Sequence, residues 1–209
     1  MSWSIERRSM SAADFHALDV PAPAERAVWI AEPPAPALVL GSAQPDSDVG
    51  PGVAVDVVRR RSGGGAVLVV PGDVLWVDVV VPAADPLWDD DVGRASHWLG
   101  DTWAAALAEL GVDGDVHKGG LVRAAWSSQV CFAGLGPGEV TVAGHKVVGI
   151  SQRRTRSAAR FQCAALARWD PSALADLLVG VSAEEIADAA SGVGVPLGDL
   201  LGAFLRSLP

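Results

Sequence analysis

Short β-branched runs punctuated by glycine and proline recur through the first 82 residues, and this punctuation leaves little room for any fold not built on a sheet. The runs are RAVWIAEP (26–33), ALVLGS (37–42), VAVDVVRR (53–60), AVLVV (66–70) and VLWVDVVVP (74–82). Each reads as a strand, and the helix expected before the first of them is short. The next segment, WDDDVGRASHWLGDTWAAALAELG (88–111), places Val92, Ser96, Leu99, Trp103, Leu107 and Leu110 at helical spacing. Asp89, Asp90 and Asp91 read as its first turn and Gly111 as its stop. Strands resume in SSQVCFAG (127–134), EVTVAG (139–144), HKVVGISQRR (145–154) and RFQCAALA (160–167). The middle two form a hairpin turning at Ala143 and Gly144.

At Asp170 the pattern changes, because Asp170 can cap a helix that has Pro171 in its first turn, and Ser182 and Glu185 are spaced as a capping box. Three short helices are expected, over about 171–178, 183–191 and 197–207. Strands, helix, strands and helices in that order predict an α+β single domain with a largely antiparallel mixed sheet flanked by helices. Residues 1–169 form its body, and 170–209 a C-terminal helical segment packed on the same domain. The loop PDSDVGPG (45–52) is the most obvious mobile segment. Of the eight tryptophans, Trp76, Trp98 and Trp103 are core candidates.

No apolar run approaches a membrane span and the N-terminus has no export signal, so a soluble cytoplasmic protein with reduced Cys131 and Cys163 is expected. The formal net charge of −9 argues against nucleic-acid binding. Cations nevertheless cluster: Lys146, Arg153, Arg154, Arg156, Arg160 and Arg168 fall between Val140 and Trp169 with no Asp or Glu, and Arg59, Arg60 and Arg61 stand together. Such islands suit an anionic small ligand or an acidic partner protein. Only Lys118 and Lys146 are lysines among sixteen cationic residues, so a lysine here is expected to be needed as one. His16, His97, His117 and His145 lack metal-ligand spacing, and no metal site is assigned to protein ligands.

The stretch VVRRRSGGGAVLVV (57–70) sets three arginines against three glycines between two apolar runs. It lacks the ending of a P-loop and the helix of a dinucleotide fingerprint. Two readings remain: a charged hairpin turn, or a loop whose amides and arginines surround a phosphate or carboxylate while missing side chains leave room for the ligand.

Arg60, Arg61, Ser62, Gly63, Gly64, Gly65, Ala66 and Val67 resemble the signature of the lipoate protein ligase A and octanoyltransferase family, which shares its fold with biotin protein ligases. GHKVVGISQRR (144–154) resembles the family's lysine block, and LVLGSAQ (38–44) is similar to the strand and glutamine that open its pocket. The three blocks stand in order over roughly residues 36–168. The resemblance implies a class II synthetase or biotin–lipoate ligase-like fold and an amide-forming transfer of a lipoyl or octanoyl group onto a lysine of a lipoyl-domain protein. It implies that Lys146 faces the acyl carbonyl, that Arg60, Arg61, Ser62, Gly63, Gly64, Gly65, Ala66, Gly149 and Ser151 bind substrate, and that Gly72 and Asp73 lie where the family binds a nucleotide. Acceptors would be the E2 subunits of 2-oxoacid dehydrogenases and the glycine cleavage H protein. The cluster Arg153, Arg154, Arg156 and Arg160 is a candidate docking surface for acidic partners.

Cys131 resembles the nucleophile of the thioester-type octanoyltransferases, standing eight residues before Glu139 and fifteen before Lys146. Such a thiol near cations is suited to attack a thioester, whereas a free cysteine on a strand is also commonly a small buried hydrophobe. Cys163 has no matching spacing and reads as core. Two first half-reactions stay open: an acyl adenylate from ATP and Mg2+, or a Cys131 thioester from acyl carrier protein with no cofactor. Many lipoate ligases carry a further C-terminal domain; a chain stopping near 209 would need a separate accessory chain or a pre-activated acyl group. The family's His-Asp after the glycines reads Val69-Val70, and its Gly-Asn reads Gly72-Asp73. These departures keep open a non-catalytic ligand-binding or accessory member, and biotin ligation is a weaker alternative.

Overall fold

The computed structural model describes residues 2–209. In chain order its elements are β1 (Ser4–Arg8), α1 (Ala12–Ala17), β2 (Ala27–Ala31), β3 (Ala37–Leu40), β4 (Asp56–Arg59), β5 (Val67–Val69), β6 (Val74–Pro82), α2 (His97–Glu109), β7 (Asp115–Val116), β8 (Val140–Val142), β9 (His145–Arg154), β10 (Ala158–Leu166), α3 (Pro171–Ala175) and α4 (Leu197–Ser207). Seven strands form one sheet in the order β1-β2-β6-β10-β9-β8-β7, antiparallel except for the β1–β2 pair. A second sheet, β4-β3-β5, has one parallel and one antiparallel pair. The fold is the expected α+β domain, with the small second sheet as an addition.

The central strands are apolar on both faces because both are covered. On β6, Val77, Val79 and Val81 join Leu99, Trp103 and Leu107 of α2 and Leu200 and Phe204 of α4 in one core, where Trp103 stacks on Phe204 at a ring separation of 4.0 Å. The alternate residues, Trp76 and Val80, pack with Trp29 of β2 against Val39, Val67 and Val69 of the small sheet and Phe15 of α1. Beyond the small sheet, Leu38, Leu40 and Ala66 meet Leu174, Leu178, Val181 and Ile186. Four layers result, namely α2 and α4, large sheet, small sheet, and the segment around α3. Among the described residues no helix is long and apolar enough to cross a membrane.

Three expected elements differ. Helix α2 begins at His97, because the carboxylates of Asp89 and Asp91 accept from the backbone amides of Asp91 and Gly93 and pair with Arg94, forming turns in place of a helical first turn. Residues 127–134 contain no strand: Cys131–Ala133 is a single 3-10 turn, and the carbonyls of Cys131 and Gly134 accept from the Lys146 ammonium in place of a neighbouring strand. The capping box forms, with Glu185 N donating to Ser182 Oγ, yet only Ala187–Ala189 is helical. The chain there is drawn alongside β9, with Ser191 N donating to Lys146 O and the His145 ring bonded to Asp188 O. The β8–β9 hairpin turns at Ala143 and Gly144, both at positive φ, and Asp170 caps α3 through Ala173 N. Strand β1 carried no sequence signal, since its SIERR pattern is largely exposed at the sheet edge.

Candidate functional site

The glycine run is needed because backbone packs directly on backbone. A Cβ built on Gly41 would lie 1.7 Å from Gly64 O, and one on Gly65 would lie 2.5 Å from Val130 N, while Gly64 takes φ +99°. Ala66 then bonds the segment beyond, its N–H donating to Gln129 O and its carbonyl accepting from Cys131 N at 3.0 Å. The glycine loop therefore clasps the turn that carries Cys131. Arg60 is buried, and its Nη2 donates to Gly63 O and Gly65 O at 2.8 and 2.9 Å, drawing the loop round its guanidinium. The same Nη2 lies 3.7 Å from Cys131 Sγ. Among the described residues the amides of Gly63, Gly64 and Gly65 find no protein acceptor, and a Cβ built on Gly64 would lie 3.6 Å from Cys131 Sγ, so the loop passes beside the thiol.

Two spaces meet at Cys131. A slot between the sheets is lined by Val39, Val67, Val69, Trp76, Phe132 and Ala164, with Arg60, Cys131, Gly149, Ser151, Gln162 and His16 as further lining; it is narrow and partly open to solvent. An open basin of about 1830 Å³ adjoins it, bounded by Gln44, Gly63, Gly64, Arg123, Cys131, Glu139, Lys146 and Ser151. Cys131 and Ser151 border both. A narrow apolar slot opening past a thiol into a polar basin suits a ligand with an apolar tail and a polar head.

Lys146 is 4% exposed, and its Nζ donates to Glu139 Oε2 at 2.7 Å and to the carbonyls of Cys131 and Gly134, each at 2.9 Å. Glu139 in turn accepts from Gly136 N and Ile150 N. The ammonium borders the basin but all three of its hydrogens already have acceptors, so it meets an acyl oxygen only by releasing one of them. It lies 5.0 Å from the Phe132 ring centroid. In this arrangement Lys146 ties down the Cys131 turn.

Ser62 is buried, and its hydroxyl bonds Gln162 Oε1 at 2.6 Å and Ser151 Oγ at 3.0 Å. Four expected positions lie elsewhere. Arg61 points outward and pairs with Asp19 at 2.7 Å, because the strand alternation that buries Arg60 exposes its neighbour. Ala66 acts through its backbone and borders neither space. Gly72 and Asp73 form the β5–β6 turn, where Gly72 supplies φ +85° and Asp73 pairs with Arg168 at 2.8 Å, outside slot and basin. The arginine cluster is likewise dispersed. Arg160 is buried on Asp78 at 2.6 Å, Arg154 lies over the Trp88 ring at 3.9 Å, and Arg153 reaches Asp19 at 3.5 Å, so no four-arginine docking face exists.

Sequence reasoning missed His16, which lines the slot, and the Arg160–Asp78–Gln162 row beneath it. Burial pushes the Asp78 carboxyl up against the opposing pull of Arg160, and burial beside Arg160 and Arg60 pushes His16 down to about 3. No spacing rule points to either residue. Burial also pushes the Cys163 thiol up, in keeping with its place in the core. Among the described residues no group of three or more His, Cys, Asp or Glu side chains gathers to hold a metal ion.

The model of the lipoyl protein ligase A/B catalytic domain family matches residues 9–201. No curated protein sequence matches the chain at a significant level. Among solved structures, lipoate-protein ligase A bound with ATP superposes with a TM-score of 0.74 at 16% identity, over 99% of this chain and 84% of that one. A bipartite lipoate protein ligase with its E2 lipoyl domain from Thermoplasma acidophilum gives 0.74 at 15%, over 99% and 82%. Protein Ta0514 of T. acidophilum with bound lipoic acid gives 0.74 at 15%, over 99% and 84%.

Proposed function

From the premise that this chain belongs to the lipoyl protein ligase A/B catalytic domain family, we propose that it transfers a lipoyl or octanoyl group to a lysine of a lipoyl-domain protein. The observation that carries the reading is Cys131, set where the slot opens into the basin beside the loop of Gly63 and Gly64. The Cys131 thiolate attacks the carbonyl of an acyl thioester, the C–S bond to the carrier breaks with the carrier leaving as its thiolate, and an S-acyl Cys131 forms with its chain in the slot. The neutral amine of the acceptor lysine, arriving through the basin, attacks the same carbonyl. The C–S bond breaks, the amine's proton passes to the departing sulfur, and the amide is released. In both steps the glycine amides receive the charge that develops on the acyl oxygen. Lys146 holds the Cys131 turn in register through the two carbonyls and Glu139.

The second reading, ATP-dependent ligation of a free acid, is favoured by the fold shared with lipoate-protein ligase A bound with ATP. The Gly63 and Gly64 amides with Arg123 would hold the nucleotide's α-phosphate, and the nucleotide would supply activation of the carboxylate, with Glu139 as a carboxylate bordering the basin that would receive a Mg2+ ion carried by its phosphates. The E2 lipoyl domain of the bipartite ligase motivates the acceptor, and an acyl carrier protein or an accessory chain belongs to the first or the second reading respectively.

The test is the intact mass of an apo lipoyl domain after incubation with octanoyl carrier protein or with ATP, Mg2+ and lipoate. The thioester reading expects acylation from the carrier, with Cys131→Ser lowering it at least 10³-fold. Undiminished transfer by that variant would remove the covalent step. Product from ATP and lipoate alone would establish the ligase reading, and no product from either donor would favour a binding-only member.

A further inference from the structure

We propose that His16 is a specificity-determining residue, selecting an acyl chain that carries a hydrogen-bond acceptor near its far end over an all-carbon chain of similar length. The inference rests on the slot being the acyl site and adds what that site reads. Asp78, which takes Arg160 Nε at 2.6 Å and Trp76 Nε1 at 2.8 Å, also faces Gln162 Nε2 at 3.4 Å. Held in an ion pair with Arg160, Asp78 accepts, so the Gln162 amide turns its nitrogen toward Asp78 and its oxygen toward Ser62. The same nitrogen faces His16 Nδ1 at 3.0 Å. Nδ1 must therefore accept, which places the imidazole proton on Nε2.

That N–H has no acceptor among the described residues, although the His16 ring is only 7% exposed, lines the slot and packs 4.5 Å from the Trp76 ring. The ring stays neutral, because burial and the neighbouring Arg160 and Arg60 oppose a second proton. Trp76 and His16 lie on the side of the slot away from Ser151 and Gly149 of β9, where the slot meets the basin. A donor of the slot wall that an all-carbon chain covers loses its water and gains nothing, whereas a ring sulfur or an oxygen at that depth satisfies it. The sulfurs of a lipoyl group are acceptors of this kind, if weak ones, and octanoyl has none.

Calorimetric titration of the full chain with lipoic acid and with octanoic acid reads this directly. The wild type is expected to bind lipoic acid about three- to tenfold more tightly, the range of one net hydrogen bond. His16→Phe keeps an aromatic ring on Trp76 and should shrink that ratio at least threefold, mainly through weaker lipoic acid binding. If His16→Phe does not fold, the same ratio is read in His16→Leu. An unchanged ratio in a folded variant overturns the role of His16 alone. Failure of the wild type to bind either acid overturns the acyl reading of the slot and this inference with it.

Discussion

A lysine whose ammonium is enclosed by a carboxylate and two carbonyls cannot be judged by its charge alone. Removing Lys146 leaves Glu139 with its remaining partners, the amides of Gly136 and Ile150, but with no counter-charge in a buried position. Lys146→Met should therefore destabilise the chain by about 3–5 kcal/mol, whereas Lys146→Met combined with Glu139→Gln should recover much of that loss, because an uncompensated buried charge costs more than a missing pair contributes. Urea denaturation of both variants checks this. Equal stability of the two would mean that the pair does not act as a pair. The residue type was legible in the sequence from the scarcity of lysine. Its engagement with Cys131 O and Gly134 O was not, since carbonyls left without strand partners appear only once the chain is folded.

Among the elements, those resting on β-branched periodicity were readable: β2 to β6, β8 and β9 fall within the expected runs, and β10 overlaps its run but begins two residues earlier, at Ala158. The segment 127–134 was not, because its backbone bonds the glycine loop and the Lys146 ammonium in place of a neighbouring strand. The loop itself tests that account. In Gly41→Ala the new methyl must displace Gly64 O from 1.7 Å, so a loss of about 1–3 kcal/mol in stability is expected together with a fall in acyl transfer larger than that loss explains. Gly198→Ala, where an added Cβ meets nothing within 4 Å, is the control: it should leave transfer unchanged and, lying in helix α4, raise stability by up to about 1 kcal/mol. Normal transfer by Gly41→Ala would show that the Cys131 turn does not depend on the clasp.

At the scale of the whole molecule, the slot lies inside the packing between two sheets, so its polar wall contributes to stability as well as to recognition. The pKa of His16 falls from 6.5 to about 3 on folding, so below pH 6.5 the unfolded chain binds a proton that the native chain refuses. Its contribution is complete above pH 6.5 and is lost as pH falls toward 3, at up to about 1.4 kcal/mol per pH unit. Denaturant midpoints should therefore drop between pH 6.5 and 4.5, opposed by Asp78, whose raised carboxyl lets the native chain take a proton ahead of the unfolded one, while Asp19, Asp85 and Asp89, all held low by their partners, add to the decline only nearer the ordinary carboxylate range. His16→Phe should flatten that part of the profile, and an equally steep decline in the variant would assign it to other groups. The layered plan was foreseeable from the order of strands and helices. The second sheet was not, because β3 and β4 pair in parallel through a connection that no local turn rule describes.

The main-chain contact of Gly41 with Gly64 and of Gly65 with Val130 has an evolutionary corollary. Where the Cys131 sulfur stands is set by these main-chain contacts together with the Arg60 guanidinium and the Lys146 ammonium, so replacements among Val39, Val67, Val69, Trp76 and His16 can reshape the slot while the Cys131 turn stays in place. New acyl preferences would then be accessible through single substitutions in this lineage, without rebuilding the centre that uses them.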